Sequence, residues 1–262
     1  MPLMMIGNRF GRLRLIVPLL FTLLSSFATA QSDEDSAGRE IVSIYLGAAG
    51  LADDPALNRY VNLVGNRVAS VSSRADITWT FGVLDTESVN AFAAPGGYIL
   101  LTRGLLDLLE TEDELAAVLA HEVSHVVRQH HWKIIKKQQA TAAVIQRMQG
   151  NMTSSNALFS DINGLFSDMM TRGLDKSAEF EADRDAAVLA ANAGYDCTAI
   201  LSLLEKMGSL KADSDEVSLL FQTHPDPEER LDQVVSAMTD DMDSCANLSA
   251  ASTRYSRFVS GD

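Results

Sequence analysis

The stretch TEDELAAVLAHEVSHVVRQHH, from Thr111 to His131, restricts this chain more than any other. Leu115, Val118, Leu119, Val123, Val126 and Val127 recur at the spacing of a helix with one buried face. Thr111 followed by Glu114 forms the pattern of a capping box at its start. His121 and His125 are separated by a little over one turn, so both imidazoles leave the same face. Two neutral imidazoles held in this way can share one Zn²⁺. Glu122 then projects beside the ion, where it can take a proton from a water held there. The same five residues also fit two hydrogen-bonded, inert histidines on a partly buried face. The rest of the chain has to decide.

With 262 residues the chain can bury a core as one large domain. Its formal charge of −14 argues against nucleic acid or an anionic membrane surface as a partner. Arg9, Arg12 and Arg14 precede an apolar run from Leu15 to Phe27. Ala28-Thr29-Ala30 then supplies the small residues of a cleavage site, so residues 1–30 read as a signal peptide. The run is interrupted by Pro18 and is shorter than the roughly 20 residues a bilayer requires, which implies no integral membrane segment in the mature chain. No cysteine follows the small residues, so a lipid anchor is unsupported and the expected location is the periplasm. Cleavage removes three arginines and no acid, leaving a net charge of −17. An oxidising compartment permits a disulfide between Cys197 and Cys245, the only two cysteines; two buried thiols are the alternative.

Residues 31–39 read as a flexible polar extension, 40–238 as one domain, and 239–262 as a polar tail. Glu40 to Ala49 is expected to be helical. Asp54-Pro55 caps and opens a helix that turns Leu57, Tyr60, Val61, Val64 and Val68 inward. Ile77 to Leu84 is rich in β-branched and aromatic residues, as a strand would be. In NAFAAPGGYILLTRGLLDLL, Pro95-Gly96-Gly97 marks a turn, Tyr98 to Leu101 a short strand, and Arg103 to Leu109 a short helix. A strand just ahead of a metal-binding helix can offer its edge to an extended peptide. Tyr98, Ile99 and Leu100 are therefore the candidate substrate strand, with a purely structural hairpin as the equal alternative.

Helical periodicity continues beyond His131 to about Met148, with His130 and His131 as surface residues or supports for the ligand histidines. Residues 150–173 break the pattern, either as a segment folded over the cleft or as a connection between helices. Ser177 to Ala193 is a helix with Ser177 as its cap and Gly194 just past its end, and Thr198 to Met207 is another. Asp226-Pro227, with Glu229 as box partner, opens the last.

A catalytic zinc needs a third protein ligand. Glu179 and Asp183 share one helix face, so one can bind the ion while the other orients a ligand histidine; a solvated acidic face is the alternative. Five segments in order, NAFAAPGGYILLTRGLL, ELAAVLAHEVSHVVRQH, EFEAD, AGYD and THPDPEERL, carry a resemblance. The chain is similar to the HtpX-like zinc metallopeptidases, the gluzincin group that includes the Oma-type and CAAX-prenyl proteases, and most of all to soluble, exported bacterial members. The resemblance implies an α+β, mostly helical, zincin-like fold with a small β-sheet. It implies one Zn²⁺ per chain held by His121, His125 and Glu179, with Glu122 as the base and Asp183 behind the ligands.

The resemblance also brings the helix after His224 against the site. His224 becomes a candidate donor to the tetrahedral oxyanion or an occupant of the water position, with a capping role as the alternative. Arg230 is a candidate partner for Asp183 or Glu181. The expected activity is hydrolysis of peptide bonds in misfolded or unassembled envelope proteins. A zinc-stabilised holding factor that binds such proteins without cutting them is the rival, and the intact Glu122 favours the enzyme.

Overall fold

The computed structural model of the chain describes residues 16–148, 173–212, 214–238 and 252–259. A first helix, α1 (Ile16–Ala49), runs without a break past Gln31. Residues 31–39, expected to be flexible, belong to it, and Glu34 and Ala37 are buried. The polar pattern there hid long-range partners. Asp54 accepts from the backbone N–H groups of Ala56 and Leu57 and so caps α2 (Pro55–Ala69), whose five expected apolar residues are all buried.

Gly65 on α2 lies where a Cβ would stand 2.6 Å from the ring of Phe81, so only glycine lets this helix lie flush on β1 (Thr80–Leu84). Ile77 to Trp79 stay outside that strand; the Trp79 indole N–H turns back to donate to the Arg74 carbonyl.

β2 (Ala91–Ala94) and β3 (Tyr98–Thr102) form an antiparallel hairpin about Pro95-Gly96-Gly97. Gly96 and Gly97 there have φ of 86° and 103°, a region glycine enters without steric cost. β1 adds parallel to β3, giving the order β1-β3-β2. Phe81, Val83, Ala91, Ala93, Ile99 and Leu101 face the main core. Leu84, Phe92, Ala94 and Leu100 face a smaller one completed by Ala37 and Ile41 of α1 and by Trp132 and Ile135. Burial on both faces explains why these strands read as apolar runs rather than alternating patterns.

The topology corrects one expectation. β3 is the central strand, so Tyr98, Ile99 and Leu100 are paired on both sides and have no edge to offer a peptide. The edge strand beside the histidine helix is β2.

α3 (Arg103–Leu108) leads to α4 (Glu112–Val127), the histidine helix. Thr111 Oγ1 accepts from the Glu114 N–H at 3.1 Å, whereas the Glu114 carboxylate reaches back to the N–H of Glu110, one residue beyond the box position. The expected continuous helix breaks at Gln129, whose φ is 57°, and α5 (His130–Met148) leaves in a new direction.

Five more helices follow among the described residues: α6 (Lys176–Ala193), α7 (Ala199–Ser209), α8 (Ser218–Thr223), α9 (Pro227–Ala237) and α10 (Ser252–Val259). Asp175, not Ser177, caps α6 by accepting from the Ala178 N–H. Gly194 closes α6 at φ 81°, with Tyr195 N–H donating to Ala190 O across the turn. Asp226 stands at the cap position of α9 but makes no cap bond; its carboxylate and that of Glu229 both go to Lys176. Residues 150–172, read as a possible cover of the cleft, lie outside the described residues, as does Cys245. Cys197 is fully buried and is not a free thiol. No helix among the described residues is long and apolar enough to cross a membrane. The architecture is the mostly helical zincin-like α+β fold with a small sheet.

Candidate metal centre

α4 and α6 pack on each other more extensively than any other pair of elements. The cause is side-chain size. Ala182, Ala186 and Ala190 form a buried stripe on α6, and Ala116, Ala117 and Ala120 are buried on α4. These small side chains let the two backbones come close, and carboxylates on α6 reach the imidazoles on α4. Glu179 is 1% exposed and Asp183 0%, so this is not a solvated acidic face. Glu181 points elsewhere and meets His130 Nε2 at 3.3 Å.

The two ring nitrogens His121 Nε2 and His125 Nε2 lie 2.9 Å apart. Glu179 Oε2 stands 3.6 Å from the first and Glu179 Oε1 3.5 Å from the second. Ligand bonds of ~2.0–2.2 Å at a tetrahedral angle place donor atoms about 3.3–3.5 Å apart; the two Glu179 distances match that spacing, and the two imidazole nitrogens sit closer, at 2.9 Å. The tautomers point the same way. His121 Nδ1 lies 2.9 Å from Asp183 Oδ1, a close charge contact outside hydrogen-bond alignment, and the carboxylate favours a proton on that nitrogen. His125 Nδ1 meets His130 Nδ1 at 2.8 Å, and His130 Nε2 faces Glu181. A consistent chain runs from His125 N–H to His130 and from His130 N–H to Glu181.

With protons on both Nδ1 atoms the Nε2 lone pairs of His121 and His125 face each other at 2.9 Å; burial lowers the His121 pKa, but Asp183 and Glu179 prevail and raise it to about 10, so a positive charge is favoured at this point. Glu179 Oε1, likewise buried, has no hydrogen-bond partner. A cation at that point meets the two facing Nε2 atoms and Glu179 Oε1 together, and this donor set of two imidazoles and a carboxylate suits Zn²⁺.

The surrounding charges are arranged in layers. Arg230, 3% exposed, donates from Nε and Nη2 to both oxygens of Asp183 at 2.8 and 2.7 Å, and its Nη1 lies 3.3 Å from Glu179. Burial pushes Asp183 up, yet the Arg230 guanidinium prevails and holds it at about 2. Burial also pushes Glu179 up, while His224 and Arg230 together hold it well below the carboxylate range. Glu122 differs. Burial raises its carboxyl, with His224 and His121 only partly opposing, so it keeps an appetite for a proton. Its Oε2 is buried and unpartnered.

His224, delivered by the turn between α8 and α9, joins His121, His125 and Glu179 in a group whose ligating atoms all lie within 4.8 Å of one another. Its Nδ1 is 3.0 Å from Glu179 Oε2, and its Nε2 is 3.4 Å from Ala91 O on β2 and 3.6 Å from Glu122 Oε1. His130 and His131 are both buried rather than on the surface, and burial lowers the His131 pKa to about 3.

The hydrogen bonding between Asn90 O and Thr102 N–H sets the hairpin register, so the backbone groups of Ala91 and Ala93 point away from β3, and the Ala91 carbonyl faces His224. A narrow cavity of about 30 Å³ opens beside Glu122 and His121 and is lined by Leu105, Val118, Leu203, Met207 and Leu220. A larger cavity, about 660 Å³, is bounded by Tyr60, Leu63, Tyr195 and Phe258 and contains none of the ligand group. Sequence reasoning missed the β2 edge, because strand order is a tertiary fact. It left His130 open between the surface and a support for the ligand histidines; the turn at Gln129 folds it back onto His125.

A model of proteins described as peptidase family M48 matches residues 55–238. The chain is 30% identical over 194 residues to the beta-barrel assembly-enhancing protease of Escherichia coli K12, covering 71% of this chain and 39% of that one. It is 29% identical over 175 residues to the mitochondrial metalloendopeptidase OMA1 of Schizosaccharomyces pombe, covering 67% of this chain and 51% of that one. It is 28% identical over 163 residues to the metalloprotease LoiP of Escherichia coli K12, covering 62% and 63%. The chain thus spans about two fifths of the length of the first of these relatives.

Proposed function

The chain belongs to peptidase family M48, and from that membership we propose that it is a zinc-dependent endopeptidase acting on unassembled or misfolded envelope proteins. The observation that carries the chemistry is the convergence of His121, His125 and Glu179 on one point, with the protonation-ready carboxylate of Glu122 alongside. His121, His125 and Glu179 would hold the ion. When bound, zinc acidifies a water and polarises the scissile carbonyl. Glu122 accepts the proton as water attacks, then passes it to the leaving amine. Its raised proton affinity suits a group that must carry a proton for part of each cycle. Asp183, itself held by Arg230, keeps His121 in the metal-binding tautomer. His224 Nε2, close to Glu122, is positioned to donate to the oxyanion.

An extended substrate would pair with the outer edge of β2, at Ala91 and Ala93, once what covers those buried residues moves aside. Envelope substrates are inferred from the name of the Escherichia coli relative, a beta-barrel assembly-enhancing protease, and from the export signal read in residues 1–30. That signal makes the periplasm the proposed location. A disulfide between Cys197 and Cys245 belongs to the same reading. Glu122→Gln preserves shape and removes the base. The expected outcome is full zinc content with casein cleavage reduced by at least about 10³-fold. Cleavage at the wild-type rate by the zinc-loaded variant would refute the base, and a wild-type protein that holds casein without cutting it would refute the enzyme.

A further inference from the structure

Outside the ligand cluster, a heavily partnered buried charge lies on α1. Glu34, 2% exposed, accepts from Arg74 Nη1 at 2.8 Å and Nη2 at 3.0 Å, from Gln129 Nε2 at 3.0 Å and from the backbone N–H of Gly96 at 3.2 Å. The same Arg74 Nη1 also donates to Val126 O at 3.0 Å, in the last turn of α4. One carboxylate therefore gathers the end of the histidine helix, the joint that follows it, and the turn of the hairpin.

Each of those three places bears on the metal centre. Gln129 holds a left-handed φ of 57°, uncommon for a residue with a Cβ, and its side-chain amide is tied to Glu34. The next residue is His130, whose Nδ1 faces His125 Nδ1 at 2.8 Å. The Gly96 turn carries β2, whose Ala91 carbonyl faces His224. α1 is seated closely on this turn. A Cβ at Gly38 would overlap Pro95 O, and the Tyr98 hydroxyl donates to Asp35 Oδ1 at 2.9 Å.

We propose that Glu34 is a positioning residue of the metal centre: by holding Arg74 and Gln129 it fixes the joint from which His130 orients His125. This rests on the reading of His125 as a zinc ligand. A buried ion pair with only a structural role is the rival, and such pairs often contribute little net stability. The two differ in what they change. A structural pair alters the melting temperature and leaves the zinc affinity of the folded protein alone. A positioning residue weakens zinc binding, and does so through His130.

The test is zinc affinity by chelator competition, measured on folded full-length protein beside its melting temperature. Partners that orient a ligand histidine are worth about 10- to 100-fold in metal affinity. Glu34→Ala and His130→Ala should each weaken zinc about tenfold or more, and the double variant should be no worse than His130→Ala alone. Gln129→Gly keeps the left-handed backbone and cuts only the amide link to Glu34. It should lose zinc affinity several-fold with little change in melting temperature, and it carries the test if Glu34→Ala does not fold. Arg39→Ala, which removes an exposed ion pair with Asp35 on the same helix, should match wild type. Wild-type zinc affinity in folded Glu34→Ala or Gln129→Gly would overturn the proposal, as would losses that multiply in the double variant. A wild-type protein that takes up no zinc would sink the metal reading itself, and the proposal with it.

Discussion

At the scale of single residues, legibility followed the distance between partners along the chain. His121 and His125 were readable because one helical turn sets their relation. Asp183 was readable as a neighbour of Glu179 on one face, but which of the two would bind metal came from family resemblance alone. Arg230 had two candidate partners, and the fold chose Asp183. That choice has a pH signature. Asp183 is held at about 2, below the ~3.9 of an unfolded Asp, so the stability it contributes is full above about pH 4 and is lost as pH falls toward 2. Arg230→Met leaves the buried carboxylate unpaired and should cost about 3–5 kcal/mol at pH 7. In metal-free protein the deficit should narrow on acidification, because wild type surrenders the pair's benefit while the variant's carboxyl becomes neutral. Thermal melts from pH 7 to pH 3 would read it. A deficit that stays constant across that range would show that Asp183 is not the group responsible.

At the scale of elements, type was easier to read than ends. α2, α4 and α6 were recognisable from apolar periodicity and cap chemistry. The break at Gln129 was not, because glutamine carries no signal for a left-handed turn; the tertiary ties of Glu34 hold it there. The start of α6 shows how two good cap residues compete. Ser177 fits the pattern, but its hydroxyl donates to Asp175, and the Asp175 carboxylate takes the backbone N–H of Ala178. Asp175→Ala should therefore destabilise the fold by about 1 kcal/mol, and Ser177→Ala by no more than about half of that. Urea midpoints at constant m-value would measure both. Equal losses, or a larger one at Ser177, would reassign the cap. The same asymmetry bears on the site, since the first turn of α6 presents Glu179.

At the scale of the whole molecule, the sequence marked a domain at 40–238, and the fold reaches past both limits. On one side Glu34 and Ala37 belong to the packed structure. On the other, α10 lies in what reads as a polar tail. The motif STRYSRFV offers only two aromatic positions one turn apart, too few for a periodicity argument, yet both are used. Tyr255 is 2% exposed and donates its hydroxyl to Leu106 O, and burial pushes its phenol up, which keeps it a donor. Phe258 stacks on Tyr60 with ring centroids 4.7 Å apart, and the Tyr60 hydroxyl in turn donates to Glu112 in the first turn of α4. α10 thus braces the end of the histidine helix away from the histidines and touches none of the ligand group. A chain ending at residue 251 should lose at least about 3 kcal/mol, the order of truncating one buried aromatic. It should still bind one zinc, because His121, His125, Glu179 and their partners Asp183, Arg230 and His130 are untouched. Calorimetry beside metal analysis would separate the two quantities. A truncated chain as stable as the full one would return residues 252–259 to the status of a tail, and one that folded but could not hold metal would mean that α10 reaches the centre through α4.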